Sequence, residues 1–258
     1  HWLRAAPCIH PSSRTTHLTL KVRQAASLMS IRFELVSKRY AQGRDALTDI
    51  SFEIGYGEMV YVTGHSGAGK STLLKLLALI ERPSDGSIEV FSKQLSGIRR
   101  RGLPAYRRRL GLVFQDHRLL LDRNAFDNVA LPMRLDGVAE AEISPRVSQA
   151  LEQVGLGGRE SALPRELSTG EQQRLGIARA MVGVPDLLLA DEPTGNLDPK
   201  LAAEIMLLMI SLKEQGTTVI IASHDLPLIQ RMRKRTLVLD GGRLIDDFRP
   251  EDWYAGGA

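Results

Sequence analysis

The stretch Met59-Val60-Tyr61-Val62-Thr63-Gly64-His65-Ser66-Gly67-Ala68-Gly69-Lys70-Ser71-Thr72 decides the fold. An apolar run of strand length enters it, and a helical pattern from Ser71 to Ile80 leaves it. Between them, Gly64 to Ser71 fits G-x-x-x-x-G-K-[ST], a phosphate-cradling loop. Polyphosphate is highly charged, so backbone N–H groups must come close to it. Glycines at 64, 67 and 69 remove Cβ atoms that would block approach or forbid positive φ. Lys70 is then a mobile cation for the β and γ phosphates, Ser71 an oxygen for Mg²⁺, and the helix start a positive dipole end. His65, Ser66, Ala68 and Thr72 complete the expected nucleotide-binding set. A plain glycine-rich strand-to-helix turn is the alternative, and the flanking strand and helix favour phosphate binding over it.

Downstream, Leu187-Leu188-Leu189-Ala190-Asp191-Glu192-Pro193 is an apolar strand ending in two carboxylates, at the sheet edge where α/β folds place ligands. Adjacent strand residues face opposite ways, so the pair can divide the work. Asp191 is the expected Mg²⁺ partner, directly or through water, and Glu192 the residue that orients or deprotonates an attacking water. Together the two motifs indicate a nucleoside-triphosphate hydrolase or kinase.

Strand signals at Ile31–Val36, Ile50–Ile54, Ser87–Phe91 and Leu110–Phe114 make the front third rich in β structure. Later, helical patterns alternate with strands at Thr217–Ala222 and Thr236–Leu239, the signature of a parallel sheet with helical crossovers. The class is α/β. Between Asp116 and Glu166 the β signal fades, and Glu140 to Val154 carries helical periodicity stopped by Gly155, Gly157 and Gly158. A helical subdomain is expected there, at about 116–166.

The chain has 258 residues, 43% hydrophobic with 25% charged, and no apolar run approaching the ~20 residues of a membrane span. Disordered, collagen-like and disulfide-scaffold classes are excluded. The net charge of +4 arises in residues 1 to 29, which hold Arg4, Arg14, Lys21 and Arg23 and no carboxylate. The remainder is formally neutral. Residues 1 to 29 also hold Cys8, the single cysteine. They read as a leader, disordered or not part of the working protein. An acid-free start resembles an organellar transit peptide, but residue 1 is not Met and Met29 immediately precedes the first strand, which favours an upstream extension. Residues 30 to 247 form the expected ATP-binding domain, and 248 to 258 a flexible tail.

Three further segments carry a resemblance: Gln115 after its strand, Leu167-Ser168-Thr169-Gly170-Glu171-Gln172-Gln173-Arg174, and Ser223-His224-Asp225. With the two motifs above they resemble an ABC ATPase. That resemblance implies a P-loop NTPase (RecA-like) core with a mostly parallel sheet, an N-terminal antiparallel β subdomain and the helical insert. Gln115 becomes the Q-loop, with catalytic and metal-binding duty; Ser168 to Glu171 the signature; Gly195 to Asp198 the D-loop; and His224 the switch histidine. Tyr40 is placed to stack on adenine. Ser168, Gly170 and Glu171 are implied to reach ATP bound on a second subunit, so that two chains close head-to-tail around two nucleotides. Read locally, the same residues form a helix start with Ser168 as N-cap and Glu171 completing a capping box. Both readings can hold at once.

"GHSGAGKSTLLKLL", "VFQDHRLLLDRNAFDNVALP" and "LLADEPTGNLDP" are similar to the FtsE branch of bacterial cell-division ATP-binding proteins, with Asp116-His117, Asp122-Arg123 and Asn128 the most discriminating. Thr169 departs from that branch's usual glycine. The implied partners are a second copy, an FtsX-like integral membrane subunit and other division proteins, and the implied location is peripheral, on the cytoplasmic face of the bacterial inner membrane. Lipoprotein-release and macrolide-export ATPases share much of this language. A nucleic-acid-associated ABC ATPase would bring a coiled-coil insertion, zinc cysteines or a second cassette, so no stable nucleic-acid partner is expected. A P-loop kinase gives no reason for Ser168 or His224. The six arginines between Arg99 and Arg109 read as a solvated helix face, an anionic-membrane contact or a nucleic-acid contact.

Overall fold

The computed structural model describes residues 29–41 and 43–252. The leader expectation, with Cys8, and the last six residues of the tail lie outside them. Two sheets are built. Strands β1 (Met29–Arg39), β2 (Asp45–Gly55), β4 (Asp85–Val90) and β5 (Lys93–Gln94) form an antiparallel sheet in the order β2-β1-β4-β5. Phe33 and Phe52 stack across β1 and β2 with ring centroids 4.5 Å apart. The second sheet has the order β10-β9-β3-β8-β7-β6, from β3 (Met59–Thr63), β6 (Leu110–Val113), β7 (Leu187–Asp191), β8 (Thr218–Ala222), β9 (Arg235–Asp240) and β10 (Arg243–Phe248). It is parallel except for the β9–β10 hairpin.

The central strands are buried on both faces, and their alternation divides the core in two. Tyr61, Leu188, Ala190, Val219 and Ile221 face a cluster with the helices of residues 125–181. Val60, Val62, Leu187, Leu189, Ile220 and Ala222 face the antiparallel sheet and the helix after Gly69. Asp191 has the parity of Leu187 and Leu189, which sends its side chain toward that helix.

The helices are α1 (Lys70–Leu77), α2 (Leu103–Arg107), α3 (Ala125–Leu135), α4 (Glu140–Gln153), α5 (Thr169–Met181), α6 (Pro199–Glu214) and α7 (Leu226–Met232). Four start at a side-chain cap supplied by a motif loop. Asn124 accepts from Asp127 N–H at 2.8 Å, Ser168 from Glu171 N–H at 3.3 Å, Asp198 from Leu201 N–H at 3.1 Å and Asp225 from Leu228 N–H at 3.0 Å. None of the described helices is long and apolar enough to cross a membrane.

Two readings change. β10 escapes the sequence pattern because a bulge between Leu244 and Asp246 breaks its alternation, although Gly241-Gly242 is a hairpin signal. The basic run is no continuous helix face: α2 has five residues, and the arginines divide. Arg107 donates to Leu79 O at 2.8 Å, Arg108 pairs with Asp136 and Arg109 with Asp186, while Arg99, Arg100 and Arg101 stay exposed.

Candidate active site

The loop from β3 into α1 is shaped by two glycines whose constraint comes from the protein itself. Gly64 has φ 144°, and a Cβ there would overlap the Leu239 carbonyl oxygen of β9. Gly69 has φ 108°, and a Cβ would lie 2.6 Å from Ala46 O and from Leu47 Cδ2. The loop is thus wedged between β9 and β2, which holds its backbone around a common centre. Lys70 folds over it, donating to Gly64 O at 2.7 Å and His65 O at 3.1 Å. The Ala68 side chain is buried, and its N–H is bonded to His65 O at 3.0 Å.

A cleft of about 950 Å³ opens over this loop. It gathers Gly64, His65, Ser66, Gly67, Gly69, Lys70, Ser71, Thr72, Gln115, Asp191, Glu192, His224 and Tyr40. The arrangement follows from strand order, because β3, β7 and β8 lie side by side and end at the same edge. Tyr40 stands at one wall, its hydroxyl 3.4 Å from Thr72 Oγ1 and its ring 5.0 Å from Lys38 Nζ. Arg44, Asp240, Leu226 and Ile245 also line the cleft, and sequence reading missed them. They belong to no local motif; Arg44, in the turn before β2, reaches Gly67 O at 3.3 Å.

Electrostatics differ across the carboxylate pair. Burial pushes the Asp191 carboxyl up from its usual range; a Ser71 hydrogen bond pulls it down, Glu192 raises it, and Lys70 and Lys75 lower it. Glu192 sits at the strand end in a left-handed backbone, φ 51°, so its direction is not set by strand alternation. Its Oε1 meets His224 Nδ1 at 2.7 Å.

The residues suit a nucleotide with Mg²⁺. A glycine-shaped loop, a lysine and a helix start address phosphate, while Ser71 and Asp191 line the same cleft and offer a hydroxyl and a carboxylate to a hard cation. Among the described residues no three His, Cys, Asp or Glu gather to hold a metal alone.

The loop after Gln115 is pinned from two sides. Asn128, fully buried, accepts from Leu120 N–H at 2.9 Å and donates to the Leu120, Arg123 and Asn124 carbonyls at 3.0 Å. Arg179 of α5 donates to His117 O and Arg118 O at 2.8 Å. Ser168, Gly170 and Glu171 do not line the cleft of their own chain. Ser168 is exposed at the tip of α5, its hydroxyl donating to Glu171 Oε2 at 2.8 Å. Hydrogen bonds from the Ser168 N–H and hydroxyl hold the Glu171 carboxyl below its usual range.

The family model described as ABC transporter matches residues 47–195. Cell division ATP-binding protein FtsE of Escherichia coli (strain K12) is 50% identical over 214 residues, spanning 83% of this chain and 96% of that protein. The protein of the same name from Mycobacterium tuberculosis (strain ATCC 25618 / H37Rv) is 44% identical over 220 residues, 85% of this chain and 96% of its own. Among solved structures, the dimeric post-hydrolysis state of the ATP-binding cassette MJ0796 bound to ADP and Pi matches with a TM-score of 0.81 at 30% identity, covering 85% of this chain and 98% of that one. The strand order, the cleft and these likenesses agree, and the chain belongs to the ABC transporter family as an ATP-hydrolysing cassette of the FtsE-like kind.

Proposed function

We propose that this cassette works as a head-to-tail homodimer, seated on an FtsX-like membrane subunit at the cytoplasmic face of the bacterial inner membrane, and that ATP-driven closure acts through that subunit in cell division. The observation that carries the reading is a division of residues: Lys70, Asp191, Glu192 and His224 share one cleft, while Ser168 and Gly170 stand outside it on a helix tip. A triphosphate bound by the first group leaves anionic oxygens that the tip of α5 from a second copy can meet. The solved cassette MJ0796, described as a dimer, supports the assembly, and the relatives' name supports the cell-division setting.

Within the cleft, the loop amides, Lys70 and the start of α1 grip the phosphates, and Tyr40 offers a ring face to the base. Ser71, Gln115 and Asp191 would hold Mg²⁺, which supplies charge neutralisation at the phosphates when bound. Glu192 takes a proton from the attacking water, and His224 is hydrogen-bonded to its carboxylate. The segment from Gln115 to Val129, anchored by Asn128 and Arg179, is the face offered to the membrane subunit.

Co-expression with a candidate FtsX-like subunit tests the setting. Recovery of a complex from detergent whose ATP turnover responds to that subunit is expected. Purification of the cassette with no membrane subunit under ATP, ADP and nucleotide-free conditions would refute it.

A further inference from the structure

The peptide of Glu192 is clamped from three directions. Its N–H donates to Ala222 O at 2.9 Å, and its carbonyl accepts from Gly195 N–H at 3.3 Å. The third bond comes from a side chain: Gln173 Nε2 donates to the same carbonyl at 3.0 Å. The clamp holds a conformation, φ 51°, that a residue with a Cβ adopts only under constraint.

Gln173 lies on α5, five positions after Ser168, and is 3% exposed. Only the amide's N–H side can face a carbonyl, so its orientation is chemically fixed. Its Oε1 is therefore buried without a hydrogen-bond partner in the protein. A position that only filled space would hold leucine or methionine and orphan no acceptor. The feature that needs the amide is the carbonyl of Glu192.

We propose that Gln173 is a positioning residue for ATP hydrolysis: it sets the Glu192 peptide, and through it the aim of the carboxylate. Because Gln173 and Ser168 share α5, the same bond ties the carboxylate of one site to the helix tip that completes the other. The proposal rests on Glu192 acting as the base.

The test is steady-state ATPase kinetics of the full chain with Gln173→Met, alone and combined with Glu192→Gln, residual turnover being followed by release of labelled γ-phosphate. Q173M is expected to lower kcat roughly 10- to 100-fold, as small misplacements of a reacting group do, with KM for ATP and the thermal midpoint unchanged. On the E192Q background it is expected to add no further loss, since it acts through that carboxylate. Wild-type kcat in Q173M, a KM that rises in step with the fall in kcat, or an equal fold loss on both backgrounds overturns the proposal. Wild-type turnover in E192Q would overturn the base assignment and the proposal together, whereas an impaired E192Q beside an unimpaired Q173M overturns the proposal alone. Should Q173M not fold, Gln173→Ala, with room for water in place of the amide, carries the same comparison.

Discussion

His224 Nδ1 and Glu192 Oε1 lie 2.7 Å apart, although 32 residues separate them in the chain. Parallel pairing brings them together: Asp191 sits opposite Ala222 in the β7–β8 ladder, so the residues beyond both strand ends emerge side by side. With the carboxylate ionised, Nδ1 must carry the proton, which sets the tautomer of the ring. The Glu192 side chain is mostly covered while the His224 side chain is 73% exposed, so the imidazole is the more movable partner.

Glu192→Gln is expected to reduce ATP turnover by roughly 10² to 10⁴, the loss typical of a missing general base, with ATP affinity unchanged. Turnover and equilibrium nucleotide binding measured on one preparation check this. An unchanged rate would remove Glu192 from that role.

Lys70→Ala acts on binding instead. Its ammonium now caps two loop carbonyls and is poised to exchange them for phosphate oxygens. Loss of a charged hydrogen bond predicts ATP affinity weaker by about 1.5 to 3 kcal/mol, roughly 10- to 150-fold. Titration calorimetry with ATP and ADP reads it directly.

Ser168 caps α5 and, in the proposed dimer, also meets the opposing nucleotide. Ser168→Asp keeps the N-cap acceptor for the Glu171 N–H but loses the hydroxyl donated to the Glu171 carboxylate, so a modest fall in melting temperature is expected, and it sets a carboxylate against the opposing phosphate. Ser168→Arg removes the cap and adds bulk. Both are expected to abolish ATP-dependent dimerisation of the E192Q protein in light scattering, with monomer nucleotide binding largely retained. A wild-type dimer fraction in both would contradict the composite site.

Glu171 makes the cap pH-dependent. Its folded-state pKa is depressed by the Ser168 N–H and hydroxyl, so its stabilisation is fully present above the unfolded carboxylate value near ~4.3 and is lost as pH falls through the folded value. Glu171→Gln can still close the capping box and carries no such titration. Relative to E171Q, the wild-type chain should lose stability as acid takes it through that window. Denaturant midpoints for the two proteins across the range measure the difference.

Legibility in the sequence follows the range of the physics. β3, β7 and β8 could be read because strands buried on both faces are written as unbroken apolar runs, and the cap at Ser168 because a cap is a contact within three residues. β10 could not, since a bulge destroys the alternation that marks a half-exposed strand. Arg44 and Ile245 enter the cleft from the turn before β2 and from the last strand, with no motif around either. Gln173 carries no local signal that sets it apart from Gln172, yet it is buried against Glu192.

From the order of its residues alone this chain was bound to carry a phosphate loop, an acidic strand end and a capped signature helix, because each is built by neighbours along the backbone. Folding in three dimensions decided that Leu239 and Ala46 make Gly64 and Gly69 obligatory, that Glu192 meets His224, and that α5 holds both the exposed Ser168 and the amide beneath the carboxylate. Those relations join residues tens to nearly two hundred positions apart, and only the order in which the strands pair brings them within bonding distance.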